Sequence, residues 1–224
     1  MAIQLSVESE LGPALAWSGQ LMAQIPFATS QALNRTAFQI QQAFNYETTR
    51  YFDKPNAFTQ RAFRYTKSTK QNLEVVVGAA PLQGRYLRFG IQGGARPAKG
   101  FERLFLQSIV DTRAIPAGTQ LAPTRKVPLN AQGNVSLATL RRIKAGMEGT
   151  ERGGFFYGTP RGGNRPLGIY RRSRKQLFAY FIARDDRATY KPQFPILQLG
   201  TAKAQQVFGG YLRSSLAEAL RTAR

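Results

Sequence analysis

One apolar period constrains this chain more than any other feature. Leu33, Ala37, Ile40 and Phe44 fall at i, i+4, i+7 and i+11, the spacing that puts side chains on one face of an α-helix. Gln31, Arg35, Gln39 and Gln42 supply much of the polar remainder. The helical pattern runs from about Ser9 to Tyr51 and needs a second element to cover its stripe. Pro26 lies inside it. A proline there removes a backbone donor and clashes with the preceding turn, so the stretch predicts two helices or one kinked helix. Lys54-Pro55-Asn56 ends it.

The period then changes. Residues 3–7 suit a short strand, and Leu73, Val75 and Val77 alternate with Asn72, Glu74 and Val76. Tyr86, Arg88 and Gly90 alternate with Leu87, Phe89 and Ile91, which also predicts a strand. Gly93-Gly94 and Pro97 break that run, and Phe101 to Phe105 predicts a short helix. Residues 114–136, with three prolines and two glycines, suggest an extended loop. Asn130 to Asn134 is a turn before a helix capped by Ser136, with Leu137, Leu140 and Lys144 inward. Phe155 to Gly158 and Leu167 to Arg171 suit a hairpin, and Leu177 to Ala183 a buried strand. From Leu199 to Arg221 a last helix carries Ala204, Val207, Phe208, Tyr211, Leu212 and Leu216 on one broad face, weakened by Gly209-Gly210. The sum is an α+β fold: a long N-terminal helical segment, a mostly antiparallel sheet and a C-terminal helix. We expect one domain over 1–224, with a helical region at 1–53, a sheet-rich body at 54–197 and the last helix at 198–224. The body includes a Gly/Arg-rich hairpin at 146–175.

Composition narrows the chemistry. The 224 residues include 15 Phe and 9 Tyr, enough apolar mass for a packed core. There is no Cys and no His, so disulfides, thiol nucleophiles and Cys/His metal sites are excluded. The common general bases go with them. We expect no cofactor, no metal and no enzymatic activity. Adjacent strand residues point to opposite faces, so Asp185 and Asp186 do not converge unless they lie in a turn. The run Ala183 to Arg187 reads as such a turn, with local ion pairs. No glycine-rich stretch matches a phosphate-binding loop, and Gly93-Gly94-Ala95-Arg96 reads as a tight turn. The N-terminus lacks a basic region followed by a long apolar run, so we expect no signal peptide. No stretch suits a membrane span.

The net charge is +20, from 32 Lys and Arg against 12 Asp and Glu. A field of that sign attracts polyanions. Arginine makes up 23 of the 32 cations, and its planar fork pairs with carboxylate or phosphate through two bonds. Between Arg152 and Lys175 lie seven cations and no anion: Arg152, Arg161, Arg165, Arg171, Arg172, Arg174 and Lys175. Three readings fit this segment. It is a solvated mobile hairpin, or a surface gripping nucleic acid by charge and stacking, or a hairpin ordered against a neighbouring subunit. The third is the preferred reading for an assembled particle.

Several blocks carry a family resemblance. Phe52-Asp53-Lys54-Pro55-Asn56-Ala57-Phe58-Thr59 resembles a signature of phage and prophage proteins, departing from it at Lys54 and Asn56. The likeness continues through Tyr86-Leu87, Gly93-Gly94-Ala95-Arg96, Phe101-Glu102-Arg103 and Gly133-Asn134-Val135-Ser136. It resumes at Gly168 to Arg172 and closes with Tyr190-Lys191-Pro192-Gln193-Phe194. Pro26-Phe27-Ala28 and Ala32 to Ala37 resemble the opening helix of the minor tail protein Z group, a tail-completion or neck group of tailed bacteriophages. The resemblance spans about Ile25 to Leu220. It implies a virion structural protein, made in the host bacterial cytoplasm, at the head–tail junction (connector) or tail. Implied partners are a portal or adaptor, the tail tube and a tail terminator, with copies closing into a homo-oligomeric ring. The +20 charge adds an alternative, a basic protein contacting packaged or ejected DNA. A hydrolase would need a converging carboxylate pair, which the sequence does not place.

Overall fold

The computed structural model describes residues 2–6, 19–97, 99–100, 102, 119–149, 154–161, 164–174, 176–184 and 188–222. The chain is α+β and divides into two compact units, Met1–Gly93 with Lys191–Arg224, and Gly94–Tyr190. The second is thus an insertion in the sequence of the first.

The first unit is built on β1 (Ala2–Ser6), α1 (Gly19–Tyr51), α2 (Ala57–Gln60), β2 (Phe63–Tyr65), β3 (Glu74–Ala79) and α3 (Pro81–Gln92). A final helix, called α5 here, spans Ile196–Thr222. α1 packs most extensively on α5. The three strands form an antiparallel sheet in the order β1-β3-β2. Leu33, Ala37, Ile40 and Phe44 are all buried, as their period requires, together with Val75 and Val77 of β3. Pro26 sits inside one helix, so of the two alternatives the stretch is a single helix and not two. Residues 9–18 of the expected helix lie outside the described residues. Phe194 is the hub of the core. Its ring lies 5.3 to 6.2 Å from those of Tyr51, Phe63, Phe52 and Phe44. On α5 the expected apolar face is half-buried throughout, while Ile196, Gly200, Ser215 and Ala219 are fully buried.

Polar residues of α1 do a second job. β2 is a sheet edge, and an uncovered edge exposes unpaired backbone groups. Gln41 Nε2 donates to the Phe63 carbonyl at 2.9 Å, and Asn45 Oδ1 accepts from Phe63 N at 3.0 Å. Beyond the strand, Asn34 pairs both backbone groups of Ser68. The helix covers the edge with side-chain amides.

Residues 86–91 correct a sequence expectation. They belong to α3, with Pro81 at its first turn. Leu87 and Ile91 are four apart and both buried, with Gln83 on the same face. Apolar residues at 87, 89 and 91 satisfy a two-residue period and a four-residue one, and the proline start decides for helix. A Cβ on Gly90 would stand 2.4 Å from the Phe52 ring, so this helix needs glycine there.

The second unit has a four-stranded antiparallel sheet in the order β5-β8-β7-β6. Its strands are β5 (Gln120–Pro123), β6 (Phe155–Gly158), β7 (Gly168–Ser173) and β8 (Gln176–Arg184). A small ribbon pairs β4 (Gly94–Ala95) with β9 (Thr189–Tyr190). Helix α4 (Leu137–Met147) completes the unit, and Ser136 Oγ accepts from Thr139 N at 3.1 Å as its cap. The expected loop at 114–136 therefore contains an edge strand. Pro123 ends it, where a missing N–H costs no ladder bond. The inner side of α4 also differs from expectation. Leu137 is 62% exposed, whereas Ile143 is buried and Leu140 and Met147 pack beside it. Leu140, Ile143 and Met147 form the i, i+3, i+7 stripe, and Leu137 precedes it on the cap. The core gathers Leu121, Val127, Ile143, Phe155, Ile169, Tyr180 and Phe181. On β8 only Tyr180 and Phe181 are fully buried, and the other apolar residues are half-buried. The register slips at Ile169/Tyr170, a β-bulge. A Cβ on Gly168 would meet the Phe181 carbonyl oxygen at 2.2 Å, so glycine is required at that close approach.

Candidate functional site

The Phe52 to Thr59 block is a capped corner. Phe52 packs on Phe194, and Lys54 takes φ 44, a left-handed conformation that L residues adopt at a cost. Asn56 is the N-cap of α2. Its Oδ1 accepts from Thr59 N at 2.8 Å and from Thr59 Oγ1 at 2.9 Å. Thr59 Oγ1 also lies 2.9 Å from the Tyr86 hydroxyl on α3. Pro55 accepts from Gln60 Nε2 at 3.1 Å. Asp53 is exposed, and Phe58 is 51% exposed. Of the two positions that depart from the signature this block resembles, Lys54 bears the left-handed turn and Asn56 bears the cap.

The closing block meets the same framework. The Gly90 carbonyl accepts from Gln193 N at 2.8 Å and Phe194 N at 3.0 Å. Pro192 is exposed beside it. Gly133 closes the turn from Asn130, its N–H donating to the Asn130 carbonyl at 2.9 Å with φ 73. Asn130 Oδ1 also accepts from Asn134 N. These residues act through turns and packing.

The blocks around Arg96 and Glu102 produce a polar centre in the second unit. Arg96 donates to both carboxylate oxygens of Glu102 at 3.0 and 3.2 Å, a fork-to-fork pair. Glu102 is 1% exposed. Its carboxylate also accepts from Lys99 N and from Leu121 N. Gln120 bridges outward, accepting from Arg96 Nη2 and from Ala188 N while donating to the Arg96 carbonyl. Burial pulls the Arg96 guanidinium down, but the hydrogen bond and charge of Glu102, with smaller contributions from Tyr190, together outweigh it and hold the group above its ordinary value. A cleft of about 400 Å³ opens beside this centre, lined by Lys99, Asn134 and Arg184 among others. The tight turn expected at Gly93 to Arg96 is instead a helix end followed by a strand: Gly93 caps α3 at φ 76, and Gly94 opens β4 at φ 103. Sequence reading marked Arg96 and Glu102 as a motif without pairing them, and it missed Gln120. A buried glutamate signals itself only when its partner is known.

The basic segment is divided by the sheet. Arg171 and Arg172 follow one another on β7 and so face opposite sides. Arg171 lies over the Phe155 ring at 5.6 Å, and Arg172 over the Phe156 ring at 5.7 Å. Phe156 stacks on its cross-strand neighbour Tyr170, centroids 5.8 Å apart at 23°. The Tyr170 hydroxyl donates to the Pro166 carbonyl at 2.5 Å. Burial pushes that phenol up, against a smaller downward pull from Arg165. Arg161 and Arg165 occupy the β6–β7 connection, and Arg174 sits at φ 50 in the β7–β8 turn. The described cations of this segment therefore do not all share one surface. Arg152, Lys175, Phe101, the Asp185 to Arg187 run and the rest of the expected helix near Phe105 lie outside the described residues.

Among the described residues no helix is long and apolar enough to cross a membrane, and no three acidic groups converge as a metal would need. Comparison with protein-family models, curated proteins and solved structures finds no match to this chain.

Proposed function

We propose that this chain is a structural subunit of a tailed-bacteriophage particle, at the head–tail neck or in the tail, working by assembly and without a catalytic step. The observation that supports it is the role of the family-like blocks. Phe52, Thr59 and Phe194 of those blocks take part in the capped corner and aromatic hub of the first unit, with Asn56 and Gly90 completing it, which suits a framework that presents surfaces to neighbouring chains. Outward side chains are available for such contacts. Phe38 is 43% and Tyr46 is 75% exposed on α1, and a neighbouring chain that covered them would bury apolar area. Neighbours would be copies in a ring, together with a portal or adaptor, tail-tube or terminator subunits.

Mass spectrometry of purified particles from the phage or prophage that encodes the chain tests the reading. The expected result is stoichiometric recovery in particles. Recovery from infected cells but never from particles would end it. Replacing Phe38 and Tyr46 with Glu is expected to cut incorporation at least tenfold while leaving the melting temperature of the purified chain nearly unchanged.

A further inference from the structure

One face of the β6–β7 hairpin, opposite Phe155 and Arg171, holds a run of three side chains. Arg172 lies over Phe156, and Phe156 stacks on Tyr170, whose hydroxyl donates to the carbonyl of Pro166, next in sequence to Arg165. Arg161, Arg165, Arg172 and Arg174 are all exposed, and among the described residues none has a carboxylate within ion-pair distance. The unit that carries them, Gly94–Tyr190, has 18 basic and 6 acidic residues, a net charge of +12 in 97 residues.

Two consequences follow from this arrangement. The rings are closed to an incoming base, because Tyr170 is 1% exposed and Phe156 is already engaged by Tyr170 and Arg172. The guanidinium of Arg172 is in turn held by its ring, so less rotamer freedom is lost when it binds, and its N–H edges stay available for a two-bond phosphate contact. No large apolar side chain from β6, β7 or their connection is exposed among the described residues, so the face has nothing to insert into a bilayer. Exposed cations with no carboxylate partner among the described residues suit a dense row of phosphates, and a duplex presents one charge per roughly 1.7 Å of axis.

We propose that the exposed arginines of this hairpin and its flanking turns, Arg161, Arg165, Arg172 and Arg174, bind the phosphate backbone of double-stranded DNA without reading or stacking on bases. The binding is an activity of the chain itself and goes beyond its place in a particle.

Fluorescence anisotropy of the full-length chain with a labelled 30-base-pair duplex tests it. Four phosphate contacts contribute about −3 to −4 to the slope of log affinity against log salt. Changing all four arginines to Gln is expected to remove that part of the slope and weaken binding at least tenfold at low salt. A control with Gln at Arg61, Arg64, Arg85 and Arg88 removes equal charge from the first unit and is expected to weaken binding less than threefold. Equal losses in the two variants would overturn the proposal, showing general charge attraction. If the fourfold variant does not fold by circular dichroism, Arg172→Lys decides. It keeps the charge and loses the fork, so a two- to fivefold loss with an unchanged slope is expected, and no loss refutes the proposal. Duplexes of unrelated sequence should bind alike. Binding to poly(dT) that is tighter than to duplex, or stronger arginine-dependent binding to phosphatidylserine vesicles, would each overturn it. The assembly reading is separable. A fourfold variant that enters particles but has lost DNA binding leaves assembly standing, and a wild-type chain that binds duplex yet never enters particles defeats assembly alone.

Discussion

The two units solve the same problem with different materials. Met1–Gly93 with Lys191–Arg224 closes around a cluster of five aromatic rings, seated between two long helices and a three-stranded sheet. Gly94–Tyr190 has a smaller apolar core and ties its loops with a buried carboxylate. Apolar packing is non-directional and tolerates local slack, whereas a buried charge is stable only while every partner is in place. The comparison teaches where each unit is vulnerable. The first is weakened by lost volume and the second by one lost acceptor.

The largest expected effect comes from Phe194→Ala. Removing a buried Phe costs about 3–5 kcal/mol, and here it also empties the centre of four ring contacts. Chemical denaturation should show that loss, with hydrogen exchange rising first in α1, β3 and α5. Exchange rising first in Gly94–Tyr190 would break the comparison.

Glu102→Ala follows. Breaking a buried ion pair by removing one partner costs about 3–5 kcal/mol, and solvent reaching the cleft beside Arg96 should place this loss near the lower figure. Glu102→Gln keeps an acceptor for the backbone donors and should recover part of it. Exchange should rise in β4, β5 and β9. If Gln is no better than Ala, the backbone bonds to the carboxylate are not what holds the loop.

The smallest effect is expected from Asn56→Ala. Loss of an N-cap typically costs about 1 kcal/mol, and α2 is short and exposed, so a thermal melt should shift by only a few degrees. A shift as large as that of Phe194→Ala would mean the corner carries the unit, and the contrast between core and cap would fail.

Legibility followed the same division. The stripe Leu33, Ala37, Ile40 and Phe44 was readable because a helix face and its burial share one period. The Ser136 cap and the β6–β7 pairing were readable because caps and hairpins are local. Residues 86–91 were misread because their apolar spacing fits two periods. Phe194 carried only a motif's signal, since its ring partners come from residues more than a hundred positions away. Gln120 carried none, because its partners Arg96 and Ala188 are remote in sequence.

The sequence alone determined the α+β class, the helix and strand periods, the charge and the lack of Cys and His chemistry, because these depend on residue type and near-neighbour spacing. Only the tertiary structure decided that two units form, that Arg96 meets Glu102 and Gln120, and that the sheet divides the basic run between two faces. Those outcomes depend on which distant segments share a surface, and the free energy that chooses them comes from burial and pairing across long stretches of chain.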